Sequence, residues 1–157
     1  MHSEKGDGEW AQDYNSLYFP EARKDYRSMK LFHVLPKKLL ALYREVIQAH
    51  NHKMRILCGA GLRGLIEGIC ADKKIAGRNL ERKIDNLTTL LPANIVRNLH
   101  GLRFIGNDAV HELEAPNDRT LQVALDVVED ILNFLYALDY KASMLDKLKG
   151  KQTRVKP

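Results

Sequence analysis

The chain has 157 residues and a mass of 18.0 kDa, which is the size of one domain. With 45% hydrophobic and 29% charged residues, it can bury a core and does not belong to the disordered class. It has no apolar run of about 18 residues, no apolar N-terminal region and only two cysteines. We therefore expect no membrane span, no secretory signal and no disulfide scaffold, and a cytoplasmic location.

The formal net charge of +5 is unevenly distributed. Residues 36–113 carry a surplus of six positive charges, residues 114–140 a surplus of five negative charges, and residues 141–157 a surplus of five positive charges. The basic tail, residues 149–157, could attract phosphate, but such a run is also typical of a solvated C-terminus. The net charge alone therefore does not predict nucleic-acid binding.

Residues 1–35 are predicted to form an N-terminal leader that is flexible at first and then extended. Their second half contains aromatic residues without a clear helical face, namely Tyr18, Phe19, Tyr26 and Phe32. We expect this part to lie extended over the helical body and to bury some of these rings.

Helical periodicity begins at Pro36, a residue suited to the first turn of a helix. Leu39, Tyr43 and Val46 follow at i, i+4 and i+7, so a first helix is predicted to end near His50–Asn51. A second helix is predicted over 52–74. Its apolar stripe comprises Met54, Cys58, Leu62, Leu65 and Ile69.

Three glycines lie beside that stripe, at Gly61, Gly64 and Gly68. Each glycine inside a helix costs roughly 1 kcal/mol relative to alanine, and close approach of another helix would offset this cost. The approaching helix could belong to the same chain or to a second copy. A phosphate-binding glycine loop is not favoured, because no strand precedes the glycines and no Lys-Ser/Thr pair follows them.

Cys58 and Cys70 are 12 residues apart on this predicted helix, roughly 18 Å along its axis. A disulfide needs Cα atoms within about 7 Å, so no bridge between them is expected.

Two short connections divide the rest of the chain into three further helices. A short third helix is predicted from Leu80 to Leu91. Pro92 ends the third helix and starts the fourth. Inward-facing residues predicted for the fourth helix are Ile95, Leu99, Leu102 and Ala109.

The fifth helix is predicted to start at a cap formed by Asn117 or Asp118 and to extend to about Leu148. Its predicted apolar face comprises Leu121, Ala124, Leu125, Val128, Ile131, Leu132, Phe134, Leu135 and Leu138. The fold class is therefore all-α, an up-and-down bundle of four to five helices with a long C-terminal helix. Residues 36–148 would form its single domain.

The fourth helix contains one group of residues that could carry chemistry. On a helical wheel, His100, Arg103, Asn107 and His111 fall within an arc of roughly 80°, beside the apolar face. Arginine can bind phosphate, histidine can transfer a proton and asparagine can orient a hydroxyl group, which together suit metal-independent RNA cleavage. One copy offers few groups for that reaction, whereas two copies across a two-fold axis would offer enough. The alternative is a solvated or hydrogen-bonded helix flank.

Arg63 and Glu67 form a second candidate group, spaced i, i+4 on the second helix. This spacing allows an ion pair worth a few tenths of a kcal/mol, and a surface salt bridge is the alternative to a functional role. His50 and His52 flank Asn51, but no carboxylate or cysteine pattern accompanies them. We therefore expect no metal and no cofactor.

These segments together resemble the domain-of-unknown-function 4145 family over roughly residues 36–140. The resemblance lies in AGLRGLIEGIC at 60–70, LERKIDNL at 80–87 and LPANIVRNLHGLRFIGNDAVHE at 91–112. Its most specific part is the Arg-x-x-Gly-Asn-Asp-x-x-His run from Arg103 to His111. That family is similar to the HEPN superfamily (higher eukaryote and prokaryote nucleotide-binding), an all-α class.

The resemblance implies a helical domain that dimerises. Many HEPN members are metal-independent ribonucleases of toxin–antitoxin, phage-defence or CRISPR-linked systems, so the resemblance also implies this activity. Other members only bind or dimerise. By position, Arg103 and His111 would be the HEPN arginine and histidine, and Asn107 the orienting residue. His100, Asp108, Arg63 and Glu67 would bind ligand or support them. Seven residues separate Arg103 from His111, whereas active members have four to six.

Two hypotheses follow. In the first, a homodimer cleaves RNA, with Arg103 on phosphate and His111 as acid or base. In the second, the domain is a non-catalytic interaction module of a defence or toxin–antitoxin system, and Arg103, Asn107 and His111 form a hydrogen-bonded knot that fixes helix packing. Binding of a nucleotide or another small ligand is a third alternative.

Overall fold

The structure is a computed structural model that describes residues 26–32 and 34–152. Within these ranges the chain is helical and has no strand, which confirms the predicted all-α bundle. The leader before Tyr26, His33 and the tail after Gln152 lie outside the described residues. The helices in chain order are α1 (Lys37–Asn51), α2 (Arg55–Asp72), α3 (Leu80–Asn86), α4 (Ala93–Asn107), α5 (Asp118–Leu132) and α6 (Asp139–Gln152).

Three short segments of different helical pitch join or extend these helices. A 3-10 turn, Leu87–Thr89, follows α3, and a π-helical turn, Asp108–Glu112, extends α4. A second π-helical segment, Asn133–Leu138, joins α5 to α6 without a break in helical backbone. The predicted long C-terminal helix is therefore confirmed as a continuous run over 118–152.

The helix ends follow local sequence signals. Pro36 and Pro92 each stand immediately before a helix, α1 and α4 respectively. The side chain of Asn117 accepts a hydrogen bond of 2.8 Å from the Thr120 N–H, so Asn117 is the cap of α5. Asn79 caps α3 in the same way through the Arg82 N–H.

Helix α2 is central and packs against α1, α4 and α5. The predicted close approach at its glycines is confirmed, and the approaching helix is α1 of the same chain. A methyl group at Gly68 would lie 2.6 Å from Leu39 Cδ2, and one at Gly61 would overlap with Val46. The glycine strip is therefore used inside the chain, which removes it as an argument for a dimer.

The core contains most of the predicted apolar residues, including both cysteines, which are free and buried. Four predicted core positions are wrong, because their side chains are about 40–50% exposed: Met54, Ile95, Phe134 and Leu138. Met54 precedes α2 instead of lying within it, and Ile95 faces an open groove between α4 and α5. Phe134 and Leu138 lie in the π-helical segment at the end of the bundle.

The C-terminal helical run is tied to the end of α2 by one side chain. The Tyr136 hydroxyl donates a hydrogen bond of 2.7 Å to Asp72 Oδ2, and Lys73 Nζ lies 4.3 Å from the centre of the Tyr136 ring. Beyond this point, each described side chain of α6 is exposed, so α6 projects from the bundle.

Candidate functional site

The polar residues of α4 do not form one site, because each faces a different neighbour. His100 Nε2 lies 2.9 Å from Asp85 Oδ1 on α3. Asn107, two turns later, accepts a hydrogen bond from Arg63 on α2. His111 is exposed on the π-helical turn. The predicted ridge is thus divided among helices, since a ridge twelve residues long extends past more than one neighbour.

Arg103 lies between these contacts and keeps part of its hydrogen-bonding capacity unused. Its guanidinium carbon is 4.3 Å from the centre of the adjacent Phe104 ring, within the range of a cation–π contact. Its Nε atom is buried and has no hydrogen-bond partner among the described residues. A buried guanidinium N–H without an acceptor costs free energy. Arg103 is therefore the residue of the motif that could still donate a hydrogen bond to an added acceptor.

Arg63 connects α2 to α4. Its Nε donates a hydrogen bond of 2.9 Å to Glu67 Oε1, which confirms the predicted i, i+4 ion pair. Its Nη1 donates to Asn107 Oδ1, and the first carbons of its side chain occupy the space beside Gly106. The Arg63 network, defined as Glu67, Arg63 and Asn107, therefore joins the two candidate groups that the sequence presented separately.

The end of α4 is widened by its π-helical turn. Leu113 has a left-handed backbone, with φ of 52°, and its N–H donates to the Asp108 carbonyl, as does the N–H of Glu114 at 3.1 Å. The backbone carbonyl of Asp108 thus accepts the hydrogen bonds that close the end of the helix, while the side chain of Asp108 is exposed. An added residue in such a turn changes the direction of the side chains that follow, and His111 is one of them.

A second polar cluster, which sequence reasoning missed, lies between the leader and α5. Glu129 on α5 is 1% exposed, and Tyr43 on α1 donates a hydrogen bond of 2.9 Å to its Oε1. Arg27 donates through Nε and Nη2 to both Glu129 oxygens, at 3.1 and 2.7 Å, and through Nη2 to Asp126 at 2.6 Å. Lys30 Nζ is 3.0 Å from Glu129 Oε2.

The backbone of residues 26–32, called the strap below, is held at the same place. The N–H of Arg27 donates to Asn51 Oδ1 at 2.8 Å, and Asn51 Nδ2 donates back to the Arg27 carbonyl at 2.9 Å. Phe32 is buried against Tyr43, with ring centres 5.3 Å apart in an edge-on arrangement. Phe32 is thus one of the leader rings expected to be buried, whereas Tyr26 is exposed.

The charges of this cluster are strongly coupled. Burial opposes ionisation of Glu129, but the hydrogen bonds from Arg27, Lys30 and Tyr43 outweigh it and hold the pKa of Glu129 below its usual value. Burial, together with the bond to the Glu129 carboxylate, raises the pKa of Tyr43 to about 12. The Glu129 carboxylate is therefore ionised, and the positive charges of the strap neutralise it. These ion pairs hold the strap against α5.

No local pattern in the sequence predicts this cluster. Glu129 interrupts the apolar face of an amphipathic helix, which is its one available signal, and its partners lie 86 and 102 residues earlier. Elsewhere in the described ranges, no group of three His, Cys, Asp or Glu side chains is placed to hold a metal ion. Nor is any of the described helices long and apolar enough to cross a membrane.

The fold and these contacts define a small helical domain whose elements are joined by several polar connections. A family model described as a domain of unknown function, DUF4145, matches residues 44–149. This is more than half of the chain, so the chain belongs to the DUF4145 family. No curated protein and no solved structure matches the chain.

Proposed function

We propose that this chain is a HEPN-like helical interaction domain of a bacterial defence or toxin–antitoxin system, and that its Arg-x-x-Gly-Asn-Asp-x-x-His motif mainly holds helices together. The observation that carries the proposal is the hydrogen bond from Arg63 to Asn107. Through this hydrogen bond Asn107, the central asparagine of the motif, connects α4 to α2. Arg63 is itself held by Glu67, so the contact belongs to a network that joins the two helices.

Substitution of Asn107 tests this structural role. Asn107→Ala leaves Arg63 without its acceptor on α4, so we expect a loss of about 1–2 kcal/mol in the free energy of unfolding measured in urea. The control is Asn94→Ala on the first turn of the same helix, where the side chain is exposed and a change within about 0.5 kcal/mol is expected. Equal effects of the two variants would contradict the proposal.

Helix α6 supports an interaction role. Met144, Leu145 and Leu148 share one side of this projecting helix at i, i+1 and i+4, and each is at least 40% exposed. We propose that a second copy of the chain covers this side in a homodimer. Light scattering tests it: the wild type should have the mass of a dimer, and Leu145→Asp should have that of a monomer. A monomeric wild type would overturn the homodimer but not the structural role of Asn107.

A metal-independent endoribonuclease is the second candidate function. It is favoured by the exposed imidazole of His111 together with the Nε of Arg103, which has no hydrogen-bond partner in the described part of the chain. The two residues are eight positions apart, roughly 12 Å along the helix. One copy offers few groups for the reaction, so this candidate uses a composite site with one contribution from each copy of a dimer.

RNA cleavage in the presence of EDTA tests this candidate. A ribonuclease of this kind should cut mixed tRNA and mRNA, and His111→Ala should abolish the cutting. His52→Ala is the matched control, because His52 is exposed and its ring is bonded locally to the Gln48 carbonyl. Intact RNA with the wild type, or equal cutting by His111→Ala, would reject the ribonuclease.

A further inference from the structure

An apolar groove of about 500 Å³ separates α4 from α5. Ile95 and Val123 line it and are 39% and 46% exposed, although both are large apolar side chains. Other lining residues are Leu99, Leu102, Ile105, Ala124 and Val127. Apolar surface that the described helices leave uncovered in this way is typical of a binding surface.

We propose that the occupant of this groove is the chain's own leader, specifically residues 10–19. This segment reads WAQDYNSLYF and contains Trp10, Tyr14, Leu17, Tyr18 and Phe19. Large aromatic residues supply most of the contact energy at apolar binding surfaces. This proposal does not depend on the proposed function, since α6 and the α4 motif take no part in it.

The position of the strap supports this occupant. The described chain begins at Tyr26, and Arg27 is fastened to Asp126 on α5. Asp126 immediately precedes Val127 and follows Val123 by three residues, and both valines line the groove. The seven residues from Phe19 to Tyr26 span up to about 23 Å, enough to pass around α5.

Attachment to the strap also favours the leader over a separate molecule. A segment joined by a short linker has an effective concentration in the millimolar range at a neighbouring site. A second copy of the chain would reach this concentration only in very concentrated solution. The leader would therefore occupy the groove first and exclude other partners from it.

Trp10 provides a direct test because it is the one tryptophan of the chain. In the full chain we expect blue-shifted Trp10 emission and shielding from acrylamide. Val123→Asp in the groove should shift the emission to the red and raise quenching several-fold, with unchanged far-UV circular dichroism. Leu57→Asp is the control, since Leu57 is 61% exposed on α2 away from the groove and should leave Trp10 shielded.

A second variant keeps the test valid if Val123→Asp fails to fold. Trp10→Ala combined with Phe19→Ala leaves the groove intact and should raise the fluorescence of an apolar dye, 8-anilinonaphthalene-1-sulfonate. Quenching of wild-type Trp10 equal to that of N-acetyltryptophanamide would overturn the proposal. So would shielding that disappears on dilution as the mass falls to that of a monomer, because the leader would then be seated on a second copy.

Discussion

The Tyr43 hydroxyl donates a hydrogen bond of 2.9 Å to Glu129 Oε1, and Glu129 is in turn held by Arg27. Through Glu129, the phenol on α1 and the guanidinium of the strap are fastened to α5. Because the carboxylate is buried, it stabilises the fold only when all its hydrogen-bonding and ion-pair partners are present.

Removal of the carboxylate should therefore destabilise the domain. Glu129→Ala leaves the Tyr43 hydroxyl and much of Arg27 without an acceptor, and we expect a loss of about 3 kcal/mol in the free energy of unfolding. Urea denaturation followed by circular dichroism measures it. Asp130→Ala, at the exposed neighbouring position, should change stability by less than about 0.5 kcal/mol. Similar losses in both variants would show that Glu129 is not the fastening point.

The same carboxylate predicts a dependence of stability on pH. Because the folded pKa of Glu129 is below its usual value of 4.5, its contribution is complete above that pH and is lost as the pH falls through the folded pKa. The difference in unfolding free energy between wild type and Glu129→Gln should thus be constant near neutral pH and shrink at acidic pH. A difference that grows on acidification would contradict the assigned sign.

Two glycines of α4 should respond in opposite directions to alanine. A methyl group at Gly106 would overlap with Arg63, whereas one at Gly101 meets no atom of the described residues within 4 Å. Gly106→Ala should therefore cost about 1–3 kcal/mol from overpacking, and Gly101→Ala should gain up to about 1 kcal/mol from helix propensity. Thermal unfolding of the two variants is the measurement. A stabilising Gly106→Ala would mean that α2 and α4 do not approach each other closely.

Both cysteines should be inert in the folded protein. Burial raises the pKa of the Cys58 thiol to about 12 and that of Cys70 to about 11, so little thiolate is present near neutral pH. With 5,5′-dithiobis(2-nitrobenzoic acid) at pH 8, we expect no fast reaction in buffer and two equivalents of released thiol in urea. Rapid labelling of a folded thiol would show that it is accessible.

Much of the fold follows from local patterns. Leu39, Tyr43 and Val46 repeat at helical spacing and are buried, and Asn117 caps α5 where the sequence places a cap. These features depend on neighbours along the chain, so one sequence is enough to reveal them. The same periodicity predicts a buried Ile95, which is exposed, because periodicity identifies a face but not whether another helix covers it.

The candidate site was less accessible from sequence. The i, i+4 spacing predicts the Arg63–Glu67 pair, but the hydrogen bond from Arg63 to Asn107 depends on how α2 and α4 cross. His100 and His111 looked like neighbours on a wheel, yet one contacts Asp85 and the other lies on a widened turn. In the sequence Glu129 stands out only as part of an acidic stretch, since its partners are far away in the chain.

The strap has a consequence for the order of folding. Arg27 and Glu129 are separated by 102 residues, whereas the packing of α1 on α2 connects adjacent segments. Closing the longer loop costs more chain entropy, so the strap should be fastened after the helices have assembled. By the same reasoning the strap should open before the α1–α2 pair does in the native state, and amide hydrogens near Arg27 should exchange faster than those of α2.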